Sequence, residues 1–164
     1  WLRERLIPHD PYRGAVEQRH YIQFYPPARY RQQDAFIRHF YERIIPGTES
    51  LIHMTDWSLY QPSDMSAIDA IRSDHSENRM LVDSPGHVLE ASEKELGVSL
   101  LALSTSFAWS SYLYSAHHRS TLYNWEGEIF DFWTDSADLM SEVRLIMRDF
   151  ELSETKQANQ QAHR

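Results

Sequence analysis

Residues Phe107 to Trp133, FAWSSYLYSAHHRSTLYNWEGEIFDFW, hold nine aromatic rings and two turn signals within twenty-seven positions. Successive side chains of a strand point to opposite faces, and glycine tolerates the positive φ of a tight hairpin, so this stretch predicts a three-stranded antiparallel meander. In its first strand Phe107, Trp109 and Leu113 share one face, with Phe107 and Trp109 assigned to the core, and Tyr112 and Tyr114 share the other. Ala116-His117-His118-Arg119 forms the first loop. The second strand, Thr121 to Trp125, meets the third, Glu128 to Trp133, through Glu126-Gly127.

Upstream, HYIQFY (His20 to Tyr25) reads as a strand stopped by Pro26-Pro27, because proline supplies no ladder donor. Phe36, Ile37, Phe40, Tyr41 and Ile44 recur at helical spacing, and Asp34 and Arg38 sit one turn apart. They predict a helix from Ala28 to Ile45, closed by Pro46-Gly47. Glu49 to Tyr60 is strand-like. Ser63 can cap a short helix lined by Met65, Ile68 and Ile71 that frays near His75 to Asn78, and the apolar run Met80 to Val82 stops at Asp83-Ser84-Pro85-Gly86. Val88 to Leu103 is read as mostly helical. Asp135 or Ser136 caps a last helix with Leu139, Val143, Ile146 and Phe150 on its inner stripe.

These elements predict a single α+β domain over residues 1–152: a mainly antiparallel sheet, a C-terminal β-meander and helices packed on one face. Residues 153–164 would be a polar tail or frayed helix extension. A chain of 164 residues with 41% hydrophobic content supports one core. The absence of cysteine excludes disulfides and thiol chemistry and fits a reducing compartment, so cytoplasm is the expected location. The opening WLRERLIPHD has no signal-type apolar region, although the start at Trp1 is compatible with removal of a leader, and the most apolar window, Val98 to Trp109, is too short for a bilayer.

The net charge of −8 conceals a split: residues 1–45 carry eight arginines and five acids, a balance of +3, leaving −11 for the remainder. Such an acidic surface disfavours nucleic acid and membrane phosphate and attracts a basic partner. Arg13, Arg19, Arg29, Arg31, Arg38 and Arg43, interleaved with Tyr12, Tyr21, Tyr25 and Tyr30, imitate a nucleic-acid binder. Pairing with the chain's own carboxylates is the expected use of those arginines.

Catalytic signatures are sparse. No G-x-S-x-G accompanies Ser110, Ser111 or Ser115, and no P-loop or G-x-G-x-x-G is present. Nine histidines show no H-x-x-x-H spacing, and adjacent His117 and His118 are expected to point apart, so no metal or other cofactor is expected. Glu126, Glu128, Asp131 and Asp135 are the best carboxylate set, but strand parity sends Asp131 to the face opposite Glu126 and Glu128. The candidate contact residues for a partner are Tyr123, Trp125, Glu126, Glu128, Asp131, Trp133 and Asp135, with acids steering and aromatics supplying contact area.

The segment SPGHVLEASEKELGVSLLALSTSFAWSSYLYS, a turn, and then NWEGEIFDFW resembles the small acidic α+β immunity proteins encoded beside bacterial polymorphic toxins. The resemblance spans about residues 50–135, with Trp109, Tyr112, Tyr114, Trp125 and Glu128 the most suggestive positions. It implies stoichiometric binding of a toxin domain, neutralised by covering its active site or by holding it inactive. A non-enzymatic protein-binding domain directed at a basic partner is therefore the leading expectation. The alternative is a small hydrolase-like or ligand-binding enzyme assembling His53, Asp56 and Glu128 from separate segments.

Overall fold

Proline and glycine set the first boundaries of the computed structural model, which describes residues 1–12, 20–57, 62–74, 76 and 86–155. Strand β1 (His20–Phe24) ends before Pro26-Pro27, and helix α1 (Tyr30–Ile44) ends before Pro46-Gly47. Strand β2 (Ser50–Asp56), helix α2 (Pro62–Asp74) and the short strand β3 (His87–Leu89) follow. One 3-10 turn at Ala91–Glu93 leads into α3 (Lys94–Ser106). The meander is β4 (Ser110–Ser115), β5 (Ser120–Trp125) and β6 (Ile129–Thr134), and α4 (Ala137–Asp149) closes the fold with Ser136 Oγ accepting the Leu139 amide at 3.1 Å.

The six strands form one sheet in the order β1-β6-β5-β4-β2-β3, with every neighbouring pair antiparallel. This is the α+β architecture that the periodicities predict. Ile22, Phe24, Ile52, Leu89, Leu113, Leu122, Phe130 and Phe132 share the face covered by α1, α3 and α4. Phenylalanines join the layers: Phe36 lies 5.9 Å from Phe24, 6.0 Å from Phe130 and 5.5 Å from Phe150, and Phe40 lies 5.5 Å from Phe132, measured between ring centroids. The five apolar residues expected to line α1 are its five buried ones. Gly97 lets α3 approach α1, since a Cβ there would lie 2.1 Å from Tyr41 Oη.

The opposite face is aromatic and polar: Tyr21, Gln23, Asp131, Trp133, Thr121, Tyr123, Tyr112, Tyr114, Leu51 and His53 occupy it by strand parity. The N-terminal segment, residues 1–12, straps across part of it. Ile7 is buried against Leu51 and Tyr114, Tyr114 Oη donates to the His9 carbonyl at 2.7 Å, and Arg5 pairs with Glu49.

Several local expectations are corrected. Phe107 is not a strand residue facing the core: α3 runs on to Ser106, and Phe107 follows as its 58% exposed C-terminal flank. Val88 belongs to β3, paired with Leu51, so helix begins later than expected. Ser63 lies inside α2 rather than capping it. His117 and His118 do not diverge, because left-handed backbone at His118 (φ 52) brings the rings to 4.1 Å. Residues 153–155 do not fray: Glu154 bridges Phe24, and the Thr155 amide donates to the Gln23 carbonyl at 2.9 Å. The expected run Met80 to Val82, its turn through Pro85, the fray at His75 and the end of the second strand at Tyr60 lie outside the described residues.

Candidate functional site

The β5–β6 loop is fixed from beneath by a buried asparagine. Asn124 Nδ2 donates to Ser104 Oγ at 3.1 Å and to the Trp109 carbonyl at 3.2 Å, while Oδ1 accepts the Gly127 amide at 2.9 Å. Ser104 Oγ in turn meets the Leu101 carbonyl at 2.9 Å and Ser111 Oγ at 3.1 Å. Glu126 and Gly127 both adopt positive φ, 52° and 72°, and a Cβ on Gly127 would lie 2.1 Å from the Thr105 carbonyl oxygen. Only glycine therefore lets the loop seat on the end of α3.

This tip presents Trp125, half exposed, Glu126, partly exposed, and Glu128, exposed. Among the described residues neither carboxylate has an ion-pair partner. Two rings pack on Trp109, whose backbone Asn124 holds: exposed Phe107 stacks on it at 5.4 Å, and partly buried Trp57 tilts against it at 4.9 Å.

The other predicted contact residues are placed differently. Asp135 sits beyond the far end of β6 and pairs with Arg119. Tyr123 is half-buried and stacks on Tyr112 at 4.4 Å. Asp131 and Trp133 are buried, at 0% and 2% exposure, beneath Tyr12 rather than displayed on the surface. Asp131 pairs with Tyr123 in the sheet, and its surroundings are polar and enclosed rather than solvated. Asp131 Oδ2 accepts Tyr12 Oη at 2.5 Å, and Oδ1 accepts Tyr21 Oη at 2.6 Å and Gln23 Nε2 at 2.8 Å.

Burial first, and donation to Asp131 second, raise the Tyr12 and Tyr21 phenols far above their ordinary range, so both remain donors. Burial and then Tyr123 push Tyr112 up to about 12. Burial lowers the His53 imidazole, and His9, 6.0 Å away between ring centroids, adds to the effect.

The enzyme alternative needs His53, Asp56 and Glu128 together, and they are not. His53 pairs across with Tyr112 on the strapped face, Asp56 lies at the end of β2 opposite Ser110, and Glu128 is reached only across β4 and β5. Strand spacing alone separates β2 from β5 by about 10 Å. Among the described residues no three His, Asp or Glu side chains gather in a way that could hold a metal ion. A groove of about 570 Å³ lined by Tyr30, Ser99, Ala102, Leu103, Ser106 and Phe107 contains no carboxylate or imidazole. No described helix is long and apolar enough to cross a membrane.

Asn124 and the Tyr12–Tyr21–Gln23–Asp131 cluster escape sequence reasoning because, apart from Gly127, their partners are 15 to 119 positions away. The one local signal is Asp131 itself, a carboxylate between Phe130 and Phe132 in a strand that also carries Trp133. No family model, curated protein or solved structure matches the chain.

Proposed function

We propose that the chain is a non-enzymatic protein-binding domain, an immunity-type inhibitor that engages a basic partner such as a bacterial toxin domain through the tip Trp125 to Glu128. One observation carries this reading: two carboxylates without ion-pair partners among the described residues stand on a hydrogen-bonded loop beside a half-exposed tryptophan. Carboxylates of one sign steer a complementary surface into encounter. A ring already held in place contributes contact area with little further loss of freedom.

The net charge of −8 extends the same bias over the molecule. Arg38 and Arg43, which could have favoured an acidic ligand, are paired with Glu95 and Glu142. The resemblance of residues 50–135 to toxin immunity proteins supplies the class of partner. Trp125, Glu126 and Glu128 form the centre of contact, Phe107 and Trp109 extend it, and Asp131 and Trp133 support the sheet from within.

Co-expression with the product of each adjacent gene tests the reading. Relief of toxicity by the wild-type chain, lost in a folded Trp125→Ala/Glu126→Lys/Glu128→Lys variant, is the expected result. Undiminished killing in the presence of abundant folded wild-type protein would refute it.

A further inference from the structure

Asp131 is fully buried, yet each of its three described hydrogen-bond donors is neutral: two phenols and one amide. A buried carboxylate normally meets a cation, because neutral donors leave its charge uncompensated. Tyr21 and Gln23 are fixed in β1 and both serve Oδ1. Among the described residues Oδ2 depends on Tyr12 alone, and Tyr12 is 51% exposed.

The anchors of the strap lie upstream of Tyr12, at Arg5, Ile7 and the His9 carbonyl. The phenol can therefore swing outward without lifting the strap, a side-chain motion rather than an unfolding step. Its departure leaves Oδ2 without a donor and opens a slot walled by Trp133 and Tyr123, whose ring centroids lie 4.8 and 6.2 Å from that of Tyr12. Two aromatic walls and a carboxylate floor suit a flat cation that can stack and donate at once, which favours guanidinium over ammonium.

We propose that Tyr12 is a side-chain gate over a cation site, and that an arginine side chain of the basic partner displaces it, binding Asp131 Oδ2 between Trp133 and Tyr123. The assignment to a partner arginine rests on the binder reading; the cation site does not. Tyr123 precedes Trp125 by two residues on the same face of β5, so this arginine enters about 7 Å from the tip.

The test titrates N-acetyl-arginine amide into the full chain at constant ionic strength and follows the Trp133 indole N–H by NMR. N-acetyl-lysine amide and the uncharged N-acetyl-citrulline amide serve as comparisons. Tyr12→Ala should give saturable binding of the arginine probe at least tenfold tighter than wild type, weaker binding of the lysine probe, and none of citrulline. Tyr12→Phe, which loses only the hydroxyl, should fall between wild type and Tyr12→Ala.

Adding Asp131→Asn to Tyr12→Ala should abolish binding. Should that pair not fold, Tyr12→Ala/Tyr123→Ala keeps the carboxylate, removes one wall and should weaken binding several-fold. Non-saturating shifts in Tyr12→Ala, or an equal response to citrulline, would overturn the site. Probe binding together with partner association indifferent to reversal of Glu126 and Glu128 would leave the cation site standing and remove the binder reading.

Discussion

Asn124 joins α3, the residue before β4 and the β5–β6 loop through three hydrogen bonds, so its side chain sets the position of Trp125 and Glu126 without touching solvent. Asn124→Ala should lower stability by about 1–3 kcal/mol, because it strands buried donors and acceptors, and chemical denaturation measures this directly. Gly127→Ala should cost about 1–3 kcal/mol from positive φ alone, with a further penalty from its contact with the Thr105 carbonyl. In both variants partner affinity should fall along with stability, whereas Trp125→Ala should lose about 2 kcal/mol or more of binding with the melting temperature nearly unchanged.

His53 gives a pH prediction at the same scale. Its imidazole faces His9 of the strap and Tyr112 of β4, and its folded pKa lies below the ordinary 6.5. As pH falls below 6.5 the unfolded chain takes the proton first, so stability present above that value is lost as pH drops through the depressed folded value. The melting temperature should therefore decline from pH 7 toward pH 5, and His53→Gln should flatten that decline; a slope unchanged by the substitution would contradict the assignment.

At the scale of elements, helices with one apolar stripe were the most legible. The five residues spaced along α1 are those buried against the sheet, and Phe40→Ala should destabilise by about 3–5 kcal/mol in denaturant titration, since the cavity opens between Phe24, Phe36 and Phe132. The meander was legible because its turns carry their own signals, above all Gly127. Phe107 was misplaced because apolar periodicity does not separate the last turn of a helix from the first residues of a strand, and α3 absorbs Ser104 and Thr105 by hydrogen-bonding both hydroxyls to the Leu101 carbonyl. The strap and the β1 contacts of residues 153–155 were illegible for another reason. Neither carries a period of its own, and each is held by contacts with distant strands, such as Tyr114 on the His9 carbonyl and the Thr155 amide on the Gln23 carbonyl.

At the scale of the molecule, the sheet divides its two faces between different tasks. One face supports α1, α3 and α4 through an apolar core; the other gathers tyrosines, Trp133 and a buried carboxylate beneath the N-terminal strap. The candidate site combines pieces that sequence placed well with pieces it placed badly. A glycine hairpin puts Trp125, Glu126 and Glu128 at a tip, which the sequence alone discloses, while the burial of Asp131 and Trp133 is not legible because the strap that covers them lies about 120 positions earlier in the chain.

The central claim is that the acids of this tip, without ion-pair partners among the described residues, steer a basic partner onto the rings beside them. Its most direct measurement is the association rate with a basic partner identified by the co-expression test, compared between wild type and Glu126→Lys/Glu128→Lys across a range of salt concentrations. The account predicts a rate at least tenfold lower for the reversed variant at low salt, with the gap closing as salt screens the charges. Equal rates at every ionic strength, with both proteins folded, would contradict it.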